Sequence, residues 1–162
     1  MSAKKTAYLG MMAALSILFG YVETLIPLNF GIPGIKLGLA NIVILLLLYR
    51  YSWKEALPVT LARILVIGFM FGNMFSIVYS LAGALLSMLV MSLLIRSGRF
   101  RIIGISAAGG AAHNVGQILA AYAVTTTLPL FWYLPILMIA GTLTGILIGI
   151  LVGLIHERTS GL

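Results

Sequence analysis

Residues 102–124 read IIGISAAGGAAHNVGQILAAYAV, an apolar stretch without a single Asp, Glu, Lys or Arg. At a rise of about 1.5 Å per residue, a helix of this length crosses a hydrocarbon layer of roughly 30 Å. Its first half has almost no side-chain bulk, and small residues on a membrane helix let a neighbouring helix approach the backbone closely. The stretch therefore predicts a transmembrane helix packed inside a bundle.

The composition of the whole chain also indicates that lipid surrounds the protein. Of the 162 residues, 62% are hydrophobic and only 8% are charged, whereas soluble domains carry roughly 25% charged residues. Because so few charged side chains cannot cover the surface of such a small protein in water, a soluble fold is excluded. The chain has no cysteine, which excludes disulfides, thiolate metal sites and cysteine nucleophiles.

Five further apolar runs predict, with this one, an all-α integral membrane protein with a single six-helix domain. These runs cover residues 7–26, 37–49, 56–72, 74–95 and 129–155. The second run is too short to cross a bilayer alone. It must either borrow length from Pro33–Lys36, with Lys36 snorkelling, or be shielded by its neighbours. Ile42–Leu48 is apolar on every side, which favours helices over the alternating strands of a membrane β-barrel.

The basic residues predict how the bundle is oriented. If the N-terminus is cytoplasmic, the inner segments hold eight of the ten lysines and arginines: Lys4, Lys5, Arg50, Lys54, Arg96, Arg99, Arg101 and Arg158. Cytoplasmic loops of membrane proteins carry such an excess of positive charge. We therefore predict that both termini face the cytoplasm.

The sequence lacks the residues on which several classes of enzyme depend. Enzymes that act on diphosphates usually hold Mg²⁺ with several carboxylates, but the chain has no aspartate, and Glu23, Glu55 and Glu157 fall too far apart to share a metal. No phosphate-binding Gly-x-x-x-x-Gly-Lys-Ser/Thr loop is present, and the two histidines lack a zinc-binding spacing. We expect no enzyme activity, no metal and no cofactor.

A few polar residues inside the predicted spans are the candidate binding residues. Arg63 falls near the midplane of the third span, where an ionised side chain costs about 2.5–3.5 kcal/mol. It therefore either contacts an anionic ligand or locks the bundle through carbonyl groups or Glu23. Glu23 is itself also a candidate substrate-binding residue. His113 and Gln117 share one face of the fifth span with Asn114 beside it. These three predict a cavity lining, or interhelical hydrogen bonds, for which Asn114 is the first candidate.

The remaining candidate residues lie near the starts of the first two spans. Asn41 follows small residues in the second span, and Lys36 either reaches an anionic group at the outer mouth of a cavity or snorkels. In the first span, Gly10 and Ala14 form a small-xxx-small pair with Ala7 nearby. Such a stripe packs a helix inside the fold or against a second membrane protein.

Four segments resemble a known family. They are Pro33-Gly34-Ile35-Lys36-Leu37-Gly38-Leu39-Ala40-Asn41, Trp53-Lys54-Glu55-Ala56, Ser80-Leu81-Ala82-Gly83-Ala84-Leu85 and Ala112-His113-Asn114-Val115-Gly116-Gln117. They are similar to the family named both heptaprenyl diphosphate synthase component I and Gx transporter. That family resembles the substrate-binding S components of energy-coupling factor (ECF) transporters.

The resemblance implies import of a small anionic or amphipathic metabolite, such as a vitamin or cofactor precursor, across the plasma membrane of a prokaryote. An S component captures its substrate outside and docks through a small-residue first helix, here Ala7, Gly10 and Ala14. Its partners are a transmembrane coupling subunit and two cytoplasmic ATPases, with no nucleic acid involved. The other family name implies the alternative, an accessory membrane subunit linked to prenyl diphosphate or quinone synthesis.

Overall fold

The computed structural model describes residues 2–26 and 38–159, and within these ranges the regular structure is entirely helical. The elements are α1 (Ala3–Leu25), α2 (Ala40–Arg50), α3 (Trp53–Phe71), α4 (Met74–Ser97), α5 (Ile102–Thr125), a 3-10 helix (Leu128–Tyr133) and α6 (Leu134–Thr159). Each predicted apolar run overlaps one α-helix. The prediction of an all-α chain is therefore confirmed for the described residues.

Three helical segments are long and apolar enough to cross a membrane: Ala3–Leu25, Met74–Ser97 and Leu128–Arg158. Helix α3 is long but carries three charged side chains, and α5 carries the His, Asn and Gln side chains of its second half. Helix α2 is apolar but short. These features support a membrane protein, while the six crossings and their orientation remain predictions.

Helix α2 is shielded by its neighbours. Seven of its 11 residues are buried, and the side chains of Leu45 and Leu47 are among the most completely buried in the described part of the chain. Of the two ways in which a short apolar run can be accommodated, shielding is therefore confirmed. Lys36 and the segment 33–36, which the other way would use, lie outside the described residues.

The start of α2 lies halfway along the bundle. Gly38 precedes the helix and has a φ of +72°, which favours glycine. It lies beside Ile148 in the middle of α6, since a Cβ on Gly38 would lie 3.1 Å from Ile148 Cδ1. The other end of α2 places the Tyr49 ring 5.7 Å from the His156 ring near the end of α6. Helix α2 therefore fills only about half the length of the bundle, roughly 16 Å.

Backbone contacts through glycines join α4, α5 and α6. A Cβ on Gly116 of α5 would lie 2.7 Å from the Ala82 carbonyl oxygen of α4. A Cβ on Gly145 of α6 would lie 2.5 Å from the Ser106 carbonyl oxygen of α5. Real Cβ atoms do not approach that closely, so only glycine fits at these positions. This confirms the close approach predicted from the small residues of the fifth span.

An ionic contact ties the start of α1 to the start of α3. Lys5 Nζ lies 2.7 Å from Glu55 Oε1, and the Ser52 hydroxyl donates to the second oxygen of the same carboxylate at 2.5 Å. The ammonium group also lies 5.1 Å from the centre of the Tyr51 ring. The end of the bundle that holds these residues, together with Arg50 and the loop between α4 and α5, is called the basic end below.

Replacing Glu55 with Gln is expected to remove a pH-dependent contribution to stability. The hydrogen bond from Lys5, followed by that from Ser52, lowers the pKa of Glu55 from 4.5 to about 2. A carboxyl group with a lowered pKa in the folded state stabilises the fold above its ordinary pKa and loses that effect as pH falls through the folded-state value.

Thermal unfolding in mild detergent would measure this effect. Wild type should melt above Glu55→Gln at pH 7, and the difference should shrink between about pH 4.5 and pH 2. A difference in melting temperature that stayed constant down to pH 2 would contradict the assignment of this contact.

Candidate ligand cavity

A cavity of about 300 Å³ lies inside the bundle, at the lower end of the volumes found for small-molecule sites. Its wall includes Ser76 near the start of α4 and Met91 further along the same helix, which lie about 22 Å apart at helical rise. Glu23 and Phe71 also contribute, from the ends of α1 and α3 away from the basic end. The cavity is therefore elongated along the helices.

The cavity wall holds a larger share of polar residues than the rest of the chain, although apolar atoms form the larger part of the surface that lines it. Its 24 residues include eight glycines, six serines or threonines and two asparagines, and only five are large apolar residues. Because glycine has no side chain, the wall also brings backbone close to the cavity. Such a surface is suited to a ligand that makes hydrogen bonds.

Arg63 contributes the positive charge of the wall. The middle of α3 places it beside α1, since a Cβ on Gly20 would lie 3.7 Å from Arg63 Cγ. The Nε atom is buried and has no hydrogen-bond partner. No ion pair joins Arg63 to any residue in the described ranges, although the charge of Glu23 acts on it from a distance.

Glu23 is engaged at the start of α2. Its Oε1 atom accepts a hydrogen bond of 2.7 Å from the Leu39 backbone N–H. A carboxylate is favourable there because the first amides of a helix carry partial positive charge. No direct ion pair joins Glu23 to Arg63, so one of the two structural roles considered for Arg63 is not formed.

Three residues of the predicted binding set also line the cavity: Asn41, His113 and Asn114. Asn114 is buried and donates a hydrogen bond through Nδ2 to the Leu137 carbonyl of α6. Asn114 thus makes the interhelical hydrogen bond for which the sequence made it the first candidate, while its side chain remains in the wall. Asn41 stands at the start of α2, next to Gly38.

Gln117 is placed differently from its predicted companions. It is not among the residues of this wall, and its Cγ would lie 2.9 Å from a Cβ on Gly83 of α4. The side chain therefore packs on α4 next to the cavity. Lys36, the residue predicted at the mouth, lies outside the described residues.

Several hydroxyl groups of the wall were not predicted from the sequence. Ser87 is 2% exposed, and its Oγ has no hydrogen-bond partner. Ser80, Ser106 and Thr144 also line the cavity. The available signal was the seven-residue spacing of Ser80 and Ser87, which places both on one face of α4.

The predicted docking stripe on α1 faces outward. Ala7, Gly10 and Ala14 are exposed, and a Cβ on Gly10 would meet nothing within 4 Å. The buried residues of this helix are Met12, Ser16 and Gly20. The small residues are therefore not used for packing in the described part of the fold.

The helices and the cavity define a small helical membrane protein with a cavity of ligand size, lined by polar and apolar residues. The chain belongs to the family described as heptaprenyl diphosphate synthase component I, whose model matches residues 12–155. This confirms the family to which the four sequence segments pointed. No curated protein and no solved structure matches the chain.

Proposed function

We propose that the chain is the substrate-binding S component of an ECF-type importer. It captures a small metabolite outside the cell and delivers it through a coupling module driven by ATP hydrolysis. The observation that carries this proposal is the cavity with polar wall residues in the middle of an apolar bundle. An unpaired arginine at that depth is costly without a partner, and a bound ligand supplies one.

The outward stripe on α1 supports a partner in the membrane. Lipid is as apolar as the helix surface, so helices associate in membranes through close packing, and small residues permit it. Ala7, Gly10 and Ala14 form such a surface. We propose that it docks on the transmembrane coupling subunit, which two cytoplasmic ATPases drive.

The family description favours a second candidate function, an accessory membrane subunit of heptaprenyl diphosphate synthesis. In that case the partner is a synthase subunit that supplies the catalytic carboxylates, since the chain contains no aspartate. The described residues contain no group of three His, Cys, Asp or Glu side chains that could hold a metal. We therefore propose no catalytic step for the chain itself under either function.

Ala14→Trp is expected to abolish copurification with the coupling subunit and ATP-driven uptake. The indole ring would hold a partner helix away from the α1 backbone without reaching the cavity. Ala123→Trp on α5 is the matched control, because Ala123 is also exposed on a helix surface. Affinity capture of the tagged chain from its own host membranes, followed by mass spectrometry, measures how much coupling subunit each variant retains. Gly10→Leu should show a weaker loss than Ala14→Trp.

The two candidate functions give different partners in this experiment. The proposal fails if Ala14→Trp retains the coupling subunit at wild-type yield. Capture of a prenyl diphosphate synthase subunit, with no ATPase and no coupling subunit, would favour the second candidate.

A further inference from the structure

We infer that the cavity binds a small hydrophilic anion, a carboxylate or phosphate ester that also carries hydroxyl or amino groups, with its anionic group against Arg63. The inference rests on the proposed function in one respect, because it takes this cavity as the substrate site. It names the chemical class of the substrate. It distinguishes the substrate from the prenyl chain that the family description suggests.

The charge of Arg63 favours an anionic ligand. A guanidinium group stays protonated in proteins, so Arg63 cannot escape its cost by losing a proton. Glu23 lines the same cavity and its charge acts on Arg63 from a distance, but its Oε1 accepts from the Leu39 amide at the start of α2. Arg63 therefore has no direct ion-pair partner among the described residues, and an anionic ligand would supply one.

Two buried polar groups of the wall lack partners. Arg63 Nε and Ser87 Oγ are both buried in the wall without a hydrogen bond, and they lie on different helices. Buried polar groups in native proteins are normally paired, and the unpaired ones call for an explanation. A ligand oxygen that accepts from the guanidinium and a further polar group that pairs with Ser87 would satisfy both.

A prenyl chain would leave these two groups without partners. Branched hydrocarbon gains from apolar contacts but offers no hydrogen bond. Of the six serines and threonines of the wall, Thr24, Ser76 and Thr144 bond to local backbone carbonyls, whereas Ser87 Oγ and Arg63 Nε have no partner. A hydrophilic ligand can pair with both.

The first test identifies what the full-length protein carries when it is purified from its host in a neutral detergent. Small molecules released by denaturation are analysed by mass spectrometry. We expect a water-soluble carboxylate or phosphate ester in wild type and in Arg96→Gln, which removes an exposed arginine of the basic end. Occupancy in Arg63→Gln should fall ten- to hundredfold, as for loss of a hydrogen bond to a charged group.

Binding to wild type alone provides a test that needs no variant. Thermal unfolding is followed with inorganic phosphate, sn-glycerol 3-phosphate and glycerate, with glycerol and farnesol as uncharged controls. If the purified protein is empty, at least one of the three anions should raise the melting temperature, whereas the two alcohols should not. Absence of any shift in an empty protein would overturn the inference.

Three further results would also overturn it: a copurified prenyl compound, stabilisation by farnesol, or equal occupancy in wild type and Arg63→Gln. If Arg63 is instead a structural clamp, the empty Arg63→Gln protein should melt at a lower temperature than empty wild type while its ligand occupancy stays equal. That result would overturn the inference. Failure of the proposed function is distinguishable, because it is measured by capture of the coupling subunit. A chain that captures the coupling subunit but holds a prenyl compound would refute this inference alone.

Discussion

Gly145→Ala is expected to lower the free energy of unfolding by about 3 kcal/mol, the upper range for added volume in a packed interior. The new methyl group would lie 2.5 Å from the Ser106 carbonyl oxygen and 2.8 Å from Ala107 Cα. Both are backbone atoms of α5, so no side chain can rotate away. Helices α5 and α6 would have to separate.

Gly153→Ala is the matched control on the same helix. A Cβ at this position would meet nothing within 4 Å, and alanine favours the helix by roughly 1 kcal/mol over glycine. This variant should therefore be as stable as wild type or more stable, measured by denaturant unfolding in mixed micelles. Equal stability of the two variants would mean that α5 and α6 are not in backbone contact.

A cysteine at position 126 should be labelled in intact cells by a membrane-impermeant thiol reagent, and a cysteine at position 97 should not. Thr126 follows α5 at the end of the bundle opposite the basic end, and Ser97 ends α4 at the basic end; both are exposed. The expected difference is all or none, because an intact membrane excludes the reagent from one side. The chain has no natural cysteine, so no background labelling arises.

Permeabilised cells provide the control for this experiment. Both Thr126→Cys and Ser97→Cys should then react to the same extent. Labelling of Ser97→Cys alone in intact cells would refute the orientation with cytoplasmic termini, and labelling of both would refute an odd number of crossings between them.

The helices could be predicted because the residues that separate them are visible in the sequence. Asn73 caps α4 by accepting from the Ser76 N–H, and Gly98 ends that helix with a φ of +66°. The start of α2 was predicted less closely. The second apolar run begins at residue 37, but α2 begins at Ala40, because Gly38 has a φ of +72° that an α-helix cannot contain. The Leu39 amide, left free at the helix start, donates to Glu23 of α1, and this contact between distant residues was not visible in the sequence.

The charged and amide residues of the cavity could be predicted because such groups are costly in lipid. Arg63 and Asn41 were found for this reason. The hydroxyl residues could not be predicted, because serine and threonine can bond to their own helix, as Thr60 does to the Ala56 carbonyl. Only the packing decides which hydroxyls face the cavity, and it also turns Gln117 toward α4.

The glycine contacts between α5 and α6 also have a mechanical consequence. Where backbone touches backbone, no rotamer change can absorb a displacement, so we expect these two helices to move as one stiff body. Helices α1 and α3 meet through a side chain instead, since Ile67 lies against Gly20. Expansion of the cavity should therefore occur on the α1 and α3 side. Hydrogen exchange in detergent would show this as faster amide exchange in α1 and α3 than in α5 and α6.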